Sequence, residues 1–244
     1  MRISKAMVLA AGLGTRLRPI TDTTPKPLVK IGGRPMIDYG LEALAEAGVN
    51  EAVVNIHHHP DQMVAHLKDR AVPRILFSDE TAQLMNSGGG LAKGLKLLPN
   101  EPLFVMNADL FWVGEPAGKP SALRQLADVF DADRMDIAML VVRNEMTTGH
   151  NGKLDFSMAT DGQLSRYRDG LENPVVYAGA FILNPELLSD APDTAFNLNI
   201  YFDKAIESGR LFGLELEGHW ITVGSPDAIA PAEEIIKRYS VSSS

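Results

Sequence analysis

Two periodicities share this chain. Lys5–Ala11, Glu51–His57, Arg74–Phe77, Leu103–Asn107 and Asp136–Arg143 are short apolar runs that predict buried strands. Between them lie segments whose apolar residues fall three or four apart. Arg34–Val49 places Ile37, Leu41 and Leu44 on one helical face, with Gly48 positioned to end the helix. Pro60–Arg70 turns Met63, Val64 and Leu67 inward, and Gly89–Leu98 does the same with Leu91, Leu95 and Leu98. Ser121–Ala132 predicts a further helix. Strands alternating with helices imply an α/β protein with a largely parallel sheet covered on both faces.

The rhythm changes near residue 150. Asn151-Gly152 and Asp161-Gly162 are turn pairs flanking a predicted strand, Lys153–Ala159. Val175–Leu183 predicts another strand, Leu198–Ser208 a helix, Leu211–Leu216 a strand and Pro226–Tyr239 a closing helix. No linker or internal repeat interrupts the pattern. The expectation is one domain over residues 1–239, with a β-region inserted around 150–183 and a frayed Ser-rich tail at 240–244. In open α/β sheets ligands sit at the carboxyl ends of the strands, so the site is expected there.

Composition narrows the function. The 244 residues are 45% hydrophobic and 22% charged, which fits a globular protein. No apolar run approaches the ~20 residues of a membrane span, so no membrane partner is expected. There is no cysteine, which excludes disulfides, thiolate catalysis and Cys-based zinc; a cytoplasmic location is expected. A net charge of −8 argues against nucleic acid as a partner. His57, His58 and His59 would alternate across a strand, so they read as a solvated strand end rather than a metal site. Oligomeric state is not legible.

One segment departs from the acidic background. Residues 16–34 collect Arg16, Arg18, Lys26, Lys30 and Arg34 against Asp22 alone. A local cationic patch of this kind fits a small anionic ligand better than a polymer. In VLAAGLGTRLRPITDTTPKPLV (Val8–Val29), Gly12 and Gly14 follow the first strand, where backbone N–H groups can be aimed at phosphate oxygens. Arg16 can grip a phosphate in a planar fork. Pro25 and Pro27 stiffen the chain that carries Lys26. Leu17 stands where a dinucleotide fingerprint needs its third glycine, and no Gly-Lys-Ser/Thr makes a Walker A loop.

LAAGLGTRLRP (Leu9–Pro19) together with Pro25-Lys26-Pro27 resembles the signature of the sugar-1-phosphate nucleotidyltransferases. The resemblance runs along nearly the whole chain through Ser87–Gly90, Asn107-Ala108-Asp109, GKLDF (Gly152–Phe156), Tyr177-Ala178-Gly179 and WITVGSP (Trp220–Pro226). Within that family it is most similar to the bacterial N-acetylmuramate-1-phosphate uridylyltransferase branch. Mannose-1-phosphate guanylyltransferases and glucose-1-phosphate thymidylyltransferases are related branches.

The resemblance implies a Rossmann-like three-layer sandwich with a mixed, mostly parallel sheet. It implies a nucleoside triphosphate and a sugar 1-phosphate as partners, Mg²⁺ as cofactor, and a nucleotide sugar and pyrophosphate as products. Leu9, Ala10, Ala11, Gly12, Gly14, Thr15, Arg16, Lys26, Ser87 and Gly88 are the implied nucleotide-binding residues. Asn107, Asp155, Tyr177 and Gly179 are implied on the sugar. Arg16, Lys26 and Asp109 are implied in catalysis: Arg16 on the leaving phosphates, Lys26 on the α-phosphate, and Asp109 on the metal. Two positions depart from the pattern. Thr222 stands where an aspartate is common, and Asn86 where an acid is frequent. UTP with N-acetylmuramic acid 1-phosphate is the first expectation. GTP with mannose 1-phosphate, UTP or dTTP with glucose 1-phosphate, and a non-catalytic nucleotide-sugar-binding subunit stay open.

Overall fold

The computed structural model describes residues 2–241. In chain order the elements are β1 (Lys5–Leu9), β2 (Lys30–Ile31), β3 (Arg34–Pro35), α1 (Met36–Ala47), β4 (Glu51–Ile56), α2 (Pro60–Leu67), β5 (Arg74–Asp79), α3 (Asn86–Leu95), β6 (Leu103–Asn107) and β7 (Leu110–Val113). They continue with α4 (Ala122–Val129), β8 (Ile137–Val142), β9 (Thr147–Thr148), β10 (Phe156–Met158), β11 (Leu164–Arg166), β12 (Pro174–Leu183), α5 (Asn199–Glu207), β13 (Leu211–Glu215), β14 (His219–Thr222) and α6 (Ile229–Val241).

The main sheet runs β11-β10-β12-β6-β1-β4-β5, with β8 also on β12 and β13 on β8. β1 lies parallel between β4 and β6, and β5 extends this parallel side. β12 runs antiparallel to both β6 and β8, so the sheet is mixed, as expected. A strand covered on both faces needs a continuous apolar run, and β1 shows it. Its Ala6 and Val8 join the core under α1, α2 and α4, while Met7 points to the core under α3 and α5. Ile37, Leu41 and Leu44 of α1 are buried; each such side chain contributes about 1.5–3 kcal/mol relative to exposure. Gly48 ends that helix with φ 100°, as its position predicted.

Several boundaries differ from the sequence expectation, each for a local reason. Pro35 is extended rather than helical, so α1 starts two residues after Arg34. α3 begins at Asn86 and carries Gly88, Gly89 and Gly90 inside it. The strand expected at Lys153–Ala159 shortens to Phe156–Met158, because the Asn151 carboxamide accepts from the Lys153 N–H at 3.0 Å and folds 151–153 into a turn. β11 follows the Asp161-Gly162 turn, hidden in the sequence because Leu164 is its one buried residue. β7, β14 and β9 form a separate small sheet that the sequence reading lacked. It packs with α6 on a third core around Leu17, Phe111, Ile221 and Ala232. Helix α6 continues through Ser240 and Val241, so the expected tail loses its first two residues; 242–244 lie outside the described residues. No helix among the described residues is long and apolar enough to cross a membrane.

Candidate active site

The carboxyl ends of β1 and β6 open onto a cavity of about 590 Å³. Leu9, Ala10, Ala11 and Gly12 form one wall as β1 runs out, and Asn107, Ala108 and Asp109 form another beyond β6. Lys26, Asn86 and Ser87 also line it. A second cavity of about 210 Å³ shares Leu9, Ser87 and Asn107 with the first, and continues past Asp155, Arg166 and Tyr177. The two adjoin at Asn107.

Lys26 and Asp109 meet as an ion pair in the larger cavity. Their side chains are 12% and 36% exposed. The sequence put them 83 positions apart with separate tasks; the fold gives the ammonium and the carboxylate one shared position. Thr222, on β14, brings no charge, and the Asp109 carbonyl lies 3.5 Å from the Val223 N–H beside it. Asp227 falls in the 3₁₀ turn Pro226–Ala228 and is exposed.

The wall at Leu9–Gly12 is braced from behind. Buried Asn55 accepts from the Ala10 N–H at 2.6 Å and donates to Glu80 Oε1 at 2.6 Å. Glu80 is 1% exposed, and its other oxygen accepts from the Met85 N–H at 2.9 Å. The Ala10 N–H is therefore committed to the protein. The N–H groups of Ala11 and Gly12 have no protein acceptor among the described residues and are free for a ligand. Asn55 carried a signal: it is the polar residue in the apolar run EAVVNI.

The loop between β1 and β2 is clamped by the histidines. His58 Nε2 bonds the Thr21 carbonyl at 2.8 Å, His59 Nε2 the Asp22 carbonyl at 3.2 Å, and Gln62 donates to the Thr23 carbonyl at 2.9 Å. His57 turns away to the Glu80 carbonyl at 2.7 Å. The His58 and His59 rings lie together, centroids 4.0 Å apart. The three histidines follow the end of β4 instead of alternating across it, and His58 and His59 pin a loop rather than dangle in solvent. Gly14 holds a turn with φ 63°, its carbonyl accepting from Leu17 N–H and Thr21 Oγ1.

Other expected site residues lie elsewhere. Thr15 and Arg16 are exposed in a 3₁₀ turn and line neither cavity. The Arg16 guanidinium lies over Gly224, where a Cβ would stand 3.4 Å from Nη2. The cations of residues 16–34 do not act as one patch. Arg18 pairs with Asp22, Arg34 with Glu42, and Lys26 with Asp109. Gly88 is buried, not at the wall: its N–H donates to the Phe196 carbonyl at 2.9 Å and a Cβ would strike the Phe196 ring. Gly89 faces the Thr194 carbonyl in the same way. These glycines admit the close approach of the 194–198 segment. Gly179 is buried against Leu110 at a bulge in β12 and lines neither cavity.

That segment was missed by sequence reasoning. Ala195 lines the larger cavity, while Asn197, Leu198 and Asn199 line the smaller. Ser87, expected on the nucleotide, accepts from the Leu198 N–H at 3.0 Å and so joins the two walls. On the far side Asp155 Oδ2 accepts from the Tyr177 N–H at 3.0 Å. Burial, and then the nearby Asp155 and Asp109 carboxylates, hold the Tyr177 phenol far above its ordinary pKa, so it remains a neutral hydroxyl.

A cavity at parallel strand ends, with free backbone amides and a lysine beside a carboxylate, suits a phosphorylated ligand. Residues 5–238 match the family described as nucleotidyl transferase. The chain belongs to that family. This nucleotidyltransferase is 41% identical over 233 residues to the N-acetylmuramate alpha-1-phosphate uridylyltransferase of Caulobacter vibrioides, covering 93% of this chain and 95% of the other. It is 34% identical to the mannose-1-phosphate guanyltransferase of Kluyveromyces lactis, across 91% of this chain but only 62% of that protein. Among solved structures, the inositol-1-phosphate CTP transferase from T. maritima superposes with a TM-score of 0.77 at 20% identity, covering 98% of this chain and 97% of that one. At that identity the likeness shows the fold.

Proposed function

We propose that this nucleotidyltransferase joins UTP to N-acetylmuramic acid 1-phosphate, giving UDP-N-acetylmuramic acid and pyrophosphate. The observation that carries the reading is the end-to-end similarity to the Caulobacter uridylyltransferase, which the guanyltransferases match over only part of their length. The two adjoining cavities support it, one for a nucleotide and one for a sugar.

In this reading an oxygen of the sugar phosphate attacks the α-phosphorus in line. The bond from the α-phosphorus to the bridging oxygen breaks, and the electron pair leaves with pyrophosphate. The attacking phosphate is already ionised, so no general base is needed. Catalysis is then positioning and charge neutralisation. Lys26 neutralises charge growing on the α-phosphate. Ala11 and Gly12 N–H groups hold phosphate or base oxygens. Asn107, at the junction, and Asp155 and Tyr177 beyond it orient the sugar. Arg16 takes part only if it moves from Gly224 toward the leaving phosphates.

Mg²⁺ is the proposed cofactor, and the donor set fits it in one form only. No group of three or more His, Cys, Asp or Glu side chains among the described residues could hold a metal. Asp109 is a single, partly exposed carboxylate whose Oδ1 has no protein partner among the described residues. Magnesium accepts one carboxylate when waters and substrate phosphates fill the remaining positions. Held by Asp109, it would supply positive charge to the phosphates.

The test is pyrophosphate release with Mg²⁺ across the common triphosphates paired with a panel of sugar 1-phosphates. Release confined to UTP and N-acetylmuramic acid 1-phosphate is expected. Preference for another pair replaces the substrates, and silence across the panel overturns the reading.

A further inference from the structure

We propose that Arg166 is a specificity-determining residue, recognising a carboxylate carried by the sugar 1-phosphate. The inference rests on the reaction proposed above and assigns a chemical class to its second substrate.

Among the described residues, Arg166 is the only lysine or arginine lining the smaller cavity. Its guanidinium is held on three sides. Nε donates to Asp203 Oδ1 at 2.7 Å, and Nη2 donates to Asn199 Oδ1 at 2.9 Å and to the Asn199 carbonyl at 3.3 Å. The central carbon lies 4.9 Å from the centroid of the Phe156 ring. Nη1 has no protein acceptor among the described residues. An arginine fixed this way loses little freedom when it binds, and its open donor is matched best by an anion.

A neutral sugar does not need this group. Asn107 and the Asn197 NH₂ supply amide groups, and Asp155 Oδ1 has no protein partner among the described residues, so hydroxyls already have partners. The sugar phosphate is itself an anion, but it must reach the Lys26 side, and Arg166 does not line the larger cavity. Two acids oppose the proposal. Asp203 is 52% exposed, so solvent screens it, and it engages the Nε edge. Asp155 has one oxygen tied to the Tyr177 N–H. Neither acid occupies Nη1.

The experiment compares the wild type with Arg166→Met, Arg166→Lys and Asp203→Asn. Each receives UTP with N-acetylmuramic acid 1-phosphate, or with N-acetylglucosamine 1-phosphate, which lacks the carboxylate. Arg166→Met should raise KM for the acidic sugar about tenfold to a hundredfold, as for losing one charge-assisted hydrogen bond. KM for UTP and for the neutral sugar should stay within about twofold, well below that cost of a charged contact. Asp203→Asn breaks the Arg166–Asp203 bridge but keeps the cation, so it should leave acidic-sugar KM unchanged or lower. Equal losses with both sugars, or the same loss in Asp203→Asn, would make Arg166 a scaffold and overturn the proposal. If Arg166→Met does not fold, Arg166→Lys decides: selective weakening supports the fork, parallel weakening overturns it. Calorimetric binding of UDP-N-acetylmuramic acid and UDP-N-acetylglucosamine separates the two readings. Wild type without turnover overturns the reaction, while an unchanged ratio of the two affinities in Arg166→Met overturns the role of Arg166.

Discussion

The two cavities that adjoin at Asn107 are built by opposite means. The larger is walled by backbone and small side chains from consecutive residues, Leu9–Gly12 and Asn107–Asp109, at the ends of parallel strands. The smaller is walled by long polar side chains, Asp155, Arg166, Asn197 and Asn199, from segments scattered over the second half of the chain. A backbone wall suits what all nucleotides share, the triphosphate and a flat base. A side-chain wall can be rebuilt one residue at a time, which suits a sugar that differs between relatives. On this division, changes on the larger side should stop the reaction, and changes on the smaller should redirect it.

Lys26→Ala tests the first half with the largest expected effect. Removing a preorganised charge from the reacting phosphate should lower kcat by about 10²–10³-fold. The melting temperature should move little, because a partly exposed ion pair contributes about 0–1 kcal/mol. Pyrophosphate release and a thermal melt read both quantities, and near-normal turnover would remove Lys26 from the chemistry.

The seam between the cavities comes next. Gly89 faces the Thr194 carbonyl at 2.5 Å from where a Cβ would be, and a backbone carbonyl cannot step aside as a side-chain end can. Gly89→Ala should destabilise the protein by about 1–3 kcal/mol, as overpacking does. Urea unfolding measures it. If the variant is as stable as wild type, α3 and the 194–198 segment are not tightly joined, and the cavities are less coupled than their shared wall implies.

Asp155→Ala sharpens the comparison from the other side. Asp155 lines the smaller cavity and not the larger. The substitution should raise KM for the sugar 1-phosphate about tenfold, in line with a hydrogen bond to a charged group, with KM for UTP unchanged. A parallel rise in both would erase the division of labour.

The same difference decides what could be read in advance. LAAGLG, the Pro-Lys-Pro segment and Asn107-Ala108-Asp109 are contiguous, so the sequence displays them as motifs; the structure brings Lys26 and Asp109 together as one pair. The parallel strands were legible for a related reason, since burial on both faces leaves unbroken apolar runs. Arg166 and Asn199 meet only because β11 pairs back toward α5, a contact between residues 33 positions apart with no motif around either. The packing of the α3 glycines was not legible, because a missing side chain looks the same whether a ligand or, as at Gly88, the Phe196 ring fills the space. The same holds at Gly179, whose neighbour is Leu110.

The smallest expected effect concerns the small sheet behind the larger cavity. His219 on β14 is buried, with Nε2 2.8 Å from Thr148 Oγ1 on β9. Burial, and then the Arg238 charge, lower its pKa below the ordinary value of 6.5. The folded protein therefore keeps the imidazole neutral while the unfolded chain takes up a proton near pH 6.5. The unfolded state binds more protons below that pH, so this contribution is complete above it and declines as pH falls toward the folded pKa. Thermal melts between pH 7.5 and 5.5 should drop more steeply for wild type than for His219→Gln, by no more than about 2–4 °C. The Val223 N–H, one residue beyond β14, faces the carbonyl of Asp109 in the wall of the larger cavity, so acid loosening of this sheet should be felt at that wall. Equal slopes would show that the small sheet tolerates a protonated His219 and that acid acts on neither cavity through it.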